Sequence, residues 1–171
     1  MMLSAVNDFI LAYAPDVTQD MLYRGYQNRM ALPEGQDYVV MAMLDTARIG
    51  TNVSDYSQSA DEKYTAKTLR EYTVSVDFCS INQEAAQQRA MTLEVISNGY
   101  IAVDFFKQYG LSYNYADDIQ YIPFVSAQDQ YVHRYRINLH LTKWDEVTIK
   151  QQYAERVELS RVENIDAHHK P

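Results

Sequence analysis

Residues 71–79 alternate without a fault: Tyr72, Val74, Val76 and Phe78 share one parity, and Thr73, Ser75, Asp77 and Cys79 share the other. A period of two over this length defines a strand with one apolar face, which another layer must cover. The period then changes. Ser80 or Asn82 caps a helix start, Glu84 falls in its first turn, and Ala86, Ala90, Leu93 and Ser97 recur at helical spacing. Asn98 and Gly99 break that helix, and a second follows with Ala102, Phe105, Phe106 and Tyr109 on one side and Gly110 as its C-cap. A one-faced strand feeding a bent helix with a small-residue face predicts an α+β layer.

Residues 131–142 supply a second one-faced strand, in which Tyr135, Ile137, Leu139 and Leu141 alternate with Arg134, Arg136, Asn138 and His140. Residues 144–149 extend or turn it. Residues 38–44 are apolar without a break, which predicts a strand covered on both faces, by helices on one side and another subunit on the other. Leu3, Val6, Ile10 and Tyr13 line an opening helix that Pro15 ends. A turn at 16–20, a short strand at 21–26 and an irregular stretch at 27–36 with Pro33 and Gly35 come next. In 111–125, Tyr113, Tyr115, Asp117, Ile119 and Tyr121 share one parity, and Pro123 places that end at an edge. Val157 and Leu159 mark a late strand before a flexible tail at 164–171. The expected fold is α+β: a mostly antiparallel sheet packed by helices (the N-terminal helix plus the bent pair), in a single domain over 1–171.

Residues 46–67 interrupt this order. They are polar, carry the turn signal of Gly50, Thr51 and Asn52, and lie between two good strands, so they form a long hairpin loop or a projecting arm. Their few apolar residues, Ile49, Val53 and Tyr56, are too sparse to make a core and are candidate contacts to a neighbouring subunit.

The residues offer little chemistry. A net charge of −8 argues against general nucleic-acid affinity, which needs clustered Lys and Arg. The single cysteine, Cys79, excludes an internal disulfide and reads as a half-buried inert thiol. No glycine-rich phosphate frame is present, and His133 and His140 have opposite parities on one strand, so they do not ligate one ion. We therefore expect no catalytic residue, cofactor or metal. Residues 1–15 lack a basic region and carry Asn7 and Asp8, unlike a signal peptide, and no apolar run reaches the ~20 residues of a membrane span. Fifteen tyrosines fit either interfaces or tyrosine-rich strand faces. Arg134 and Arg136 lie on a solvated face, pair with Asp77 and other residues on a neighbouring strand, or contact another subunit.

Gly25, Tyr26, Gln27 and Asn28, the run from Leu32, Pro33, Glu34 and Gly35 into Val39 and Val40, the 71–78 alternation with its Ala85, Ala86, Ala90 and Leu93 helix, and the 134–139 strand follow in an ordered series. In that order and spacing, the chain resembles the neck or tail terminator (tail-completion) proteins of tailed bacteriophages, from about residue 7 to 162. The resemblance implies a structural virion protein of the neck: a homohexameric ring that ends the tail tube and joins it to the head–tail connector. DNA would pass through the ring without specific binding, no membrane would be involved, and assembly would occur in the host cytoplasm. A head-closure (stopper) protein of the same neck, or a small ligand-binding α+β domain or enzyme, is the alternative.

Overall fold

The computed structural model describes residues 2–25, 37–57, 63–126 and 130–150. Its spine is β4, Lys63–Ser80, an 18-residue strand about 60 Å long. β2, Asp37–Arg48, and then β3, Val53–Ser57, pair antiparallel along one side of it, and β8, Tyr131–Lys150, pairs along the other. The β4–β8 register is unbroken from Lys63↔Lys150 to Ser80↔His133. β1, Leu22–Arg24, adds a parallel edge to β2, and β5, Ser112–Ala116, closes the other side, giving the order β1-β2-β4-β8-β5. The short β6, Gln120–Tyr121, and β7, Phe124–Val125, lie along the first residues of β8. The expected α+β class is the observed one, with a mostly antiparallel sheet and helices on one face.

Three helices among the described residues cover half of the spine. α2, Gln83–Ser97, starts where Asn82 Oδ1 accepts from the Glu84 and Ala85 amides at 3.0 and 3.4 Å, satisfying two otherwise orphaned donors. Its Ala86, Ala90 and Leu93 are fully buried, and the two alanines let the helix lie close on Val74, Val76 and Phe78 of β4. Ser80 accepts the Asn82 amide and donates to Asp37, whose other oxygen takes Arg89 of α2 at 3.0 Å. One small network thus fastens β2, β4 and α2. The break falls at Asn98 and Gly99 as expected, and α3, Tyr100–Lys107, follows. Gly110 has φ +67°, the left-handed conformation that glycine adopts without penalty, and Leu111 and Gly110 donate back to Phe106 and Lys107.

α1, Met2–Tyr13, buries Ala5, Val6, Phe9 and Ile10 completely. The sequence expectation had named Leu3, Val6, Ile10 and Tyr13. The face is rotated because Phe9 enters an aromatic cluster with Phe105, Phe106 and Tyr13, leaving Leu3 and Tyr13 only partly buried.

Residues 38–44 carry helices on one face, over Val39 and Met41, while Tyr38 and Val40 line a cleft on the other, the face expected to meet another subunit. A register shift between Met43 and Asp45 then leaves Met43 and Leu44 exposed. The shared parity of Tyr113 and Tyr115 fails because a register shift lies between them. Tyr113 therefore stacks on Phe106 in the core, and Tyr115 stacks on His140 on the other face. The arm also has more than two strands, because β8 continues past Trp144 to Lys150 alongside the first half of β4. The 27–36 stretch, the late strand at Val157 and Leu159, and the 164–171 tail lie outside the described residues.

Candidate functional site

Two surfaces remain once the helices have covered their half of the sheet. The first is the helix-free face of the base. Register sets it: Asp77 lies directly opposite Arg136, and Cys79 opposite Arg134. Arg136 donates through Nε and Nη2 to the two Asp77 oxygens at 2.6 and 2.7 Å, a bidentate pair around a carboxylate only 8% exposed. Arg134 approaches the same carboxylate at 3.9 Å, donates to the Ile122 carbonyl at 3.2 Å, and stands 5.3 Å over the Phe124 ring. Arg134 and Arg136 thus both turn toward Asp77, the neighbouring-strand pairing among the arrangements expected from sequence.

Beside this group is an open cleft of about 250 Å³ between Gly25, Tyr38, Val40, Cys79, Phe124 and Arg134. Burial, reinforced by the nearby Asp77 charge, pushes the Cys79 thiol up to about 12, and burial raises the Tyr38 hydroxyl to about 12. Cys79 is only 3% exposed, more deeply buried than the half-buried thiol expected from its strand.

Farther along the same face His140 sits between two acids. Its Nδ1 is 3.0 Å from Glu71 Oε1, its Nε2 is 3.1 Å from Asp117 Oδ1, and Tyr115 stacks on its ring at 4.2 Å. Thr73 Oγ1 also approaches Nδ1, but at 3.4 Å it is the more distant of that nitrogen's two partners. The arrangement ties β4, β8 and the residue after β5 together. His133 stands apart, 2.7 Å from the Tyr121 hydroxyl. Sequence reasoning missed Glu71 and Asp117 as partners of His140, since 69 and 23 residues separate them from it. No helix among the described residues is long and apolar enough to cross a membrane, and no group of three metal-ligating side chains occurs among them.

This cluster predicts a pH effect. Burial tends to raise the Asp117 carboxyl, but hydrogen bonds from Asn138 and His140 outweigh it and hold the group below its ordinary 3.8. A depressed folded value means that ionised Asp117 stabilises the fold above the ordinary carboxylate range and that this contribution is lost as pH falls through the lower folded value. Asp117→Asn should therefore lower the urea midpoint near neutral pH and converge on the unmodified protein in acid. A midpoint difference that stays constant across pH would mean that the charge of Asp117 contributes nothing.

The second surface is the arm: β3, the first half of β4 and the last third of β8, projecting beyond the helices. Its strands are joined by Lys67–Glu146 at 2.9 Å, by Thr65–Thr148 at 3.1 Å, and by Asp145, which takes Arg70 at 3.4 Å and the Tyr72 hydroxyl. On the helix-free face, Ile49, the residue after β2, lines up with Leu69 of β4 and Trp144 of β8, because Ile49 donates to the Leu69 carbonyl and Leu69 lies opposite Trp144. Ile49, Val53 and Trp144 are each more than half exposed. Val147 and Ile149 are exposed on the opposite side of β8. Tyr56 pairs with Tyr64 through the backbone. Of the sequence-named contacts, Ile49, Val53 and Tyr56 thus sit on the arm, and Arg134 and Arg136 on the base. Trp144 escaped notice because a lone tryptophan at a strand end carries no periodic signal.

Asp77–Arg136 on the base and Lys67–Glu146 on the arm join strands, and the arm shows apolar side chains to solvent. The sequence matches the family described as phage neck terminator protein over residues 3–168, nearly its whole length, and the chain belongs to that family. It is a structural protein of the phage neck. No curated protein matches it.

Proposed function

We propose that this protein ends the tail tube as a closed ring of six copies, joins it to the head–tail connector, and leaves a central path for DNA. The observation that carries the reading is the arm: exposed Ile49, Val53 and Trp144 on a projection too thin to have its own core, in a member of the terminator family. Apolar side chains on such a projection are stabilised when a neighbour covers them. The number six and the two neighbours rest on the resemblance to tail-terminator proteins. The net charge of −8 suits a channel from which DNA must be released.

In this reading the chain forms one domain, and 46–67 belong to the projecting arm. Ile49, Val53 and Tyr56 meet the adjacent subunit, and Arg134 and Arg136 present whatever surface Asp77 leaves them. The tail tube protein and the connector are the other partners, and the protein belongs to the virion, with the host cytoplasm as the place of assembly. Electron cryo-microscopy of the neck in assembled particles tests this. Six copies around the tail axis are expected, whereas a single copy there, or none, would end the proposal.

A further inference from the structure

The arm has two unpaired edges. Among the described residues, β3 pairs with β4 alone, and β8 beyond Thr142 also pairs with β4 alone. Such edges present rows of backbone donors and acceptors, a template for another strand. β3 and β8 are each antiparallel to β4, so they run parallel to each other on opposite sides of the arm. Rotating one arm about an axis along its strands therefore sets β8 of one copy beside β3 of the next in the same sense.

We propose that β3 of each protomer pairs in parallel with residues 143–150 of β8 in the adjacent protomer, so that a second copy of this chain is the occupant of both edges. This rests on the ring reading above and names its interface.

Charge selects this pairing over the two self-complementary ones. Asp55 is the middle residue of β3, so antiparallel pairing of two β3 strands places Asp55 against Asp55. Antiparallel pairing of two 143–150 segments places Lys143 against Lys150 twice. Like charges directly opposite each other are destabilising. In the β8–β3 pairing with rows aligned, no like charges lie directly opposite along β3. Asp55 faces Thr148, with Lys150 on one diagonal and Glu146, already paired with Lys67, on the other. Trp144 of one copy meets Ile49, the residue after β2, of the next. The contact is heterologous, as closed rings above the dimer require. Six arms of three strands would join about 18 strands, a size that leaves an open channel.

Oxidative cross-linking of assembled particles tests the interface. Ser54→Cys combined with Val147→Cys, or with Ile149→Cys, should give a covalent ladder extending to the full ring. Each single variant should give none, and Cys79 is too buried to contribute. In the unmodified protein, amide exchange of β3 and of 143–150 should slow at least about tenfold on assembly, which reads the same contact if a cysteine variant fails to fold. Dimers from a single variant would overturn the head-to-tail pairing. Rings in the neck without a ladder and without added protection would overturn the edge pairing and leave the ring intact. Necks without a ring would remove both.

Discussion

Asp77→Ala is expected to destabilise the protein by about 3–5 kcal/mol, because it strips the counter-charge from two arginines on a largely buried face. Arg136 would lose both oxygens of its bidentate pair, and Arg134 would lose the carboxylate 3.9 Å away. The two guanidinium groups stand two residues apart on β8 and point to the same side, so their repulsion adds to the loss. For a chain of this length the thermal midpoint should fall by about 10 °C. Asp77→Leu combined with Arg136→Met removes both members of the pair and should recover most of the loss, since an apolar pair of similar volume avoids the desolvation of two charges. Differential scanning calorimetry of the two variants decides the matter. A midpoint for Asp77→Ala within about 2 °C of the unmodified protein would mean that solvent already screens these charges.

The arm should behave in the opposite way. Trp144→Glu and Ile49→Lys alter side chains that are 52% exposed in the free chain, so each should cost under about 1 kcal/mol and move the midpoint by less than about 4 °C. Assembly should nevertheless collapse. A charge at the centre of an apolar contact costs on the order of 2 kcal/mol or more, and a ring incurs that cost at every interface. Each variant, supplied in place of the unmodified protein, should leave necks without it and reduce infectious particles at least about a hundredfold. If folded Trp144→Glu still occupies necks at normal yield, the arm is not an interface. If either variant unfolds, the Ile49, Leu69 and Trp144 row holds the sheet together.

What the sequence determined by itself is local. The 71–79 and 134–141 alternations give strands with one apolar face because side chains on extended backbone take turns between two faces. Residues 134–141 bury only the predicted parity, whereas in 71–79 Ser75, Asp77 and Cys79 are buried as well, which the alternation did not foretell. The α2 start and the break after it were legible because Asn82 satisfies amides two and three residues away, and Asn98 and Gly99 stand at the break itself. Tertiary structure decided every feature that depends on register. Asp77 and Arg136 are 59 residues apart, and only the alignment of β4 with β8 chooses between that pair and an arginine left for another subunit. The same alignment places Glu71 beside His140, and the register shift beside Asn114 brings Asp117 to its other nitrogen while sending Tyr113 and Tyr115 to opposite faces. The arm is the largest such decision. Residues 144–149 hold Trp144, Val147 and Ile149 among charged neighbours, a composition open to either a strand or a turn. They become a strand because β4 lies alongside them, offering a hydrogen-bond partner at every step that the local sequence does not encode.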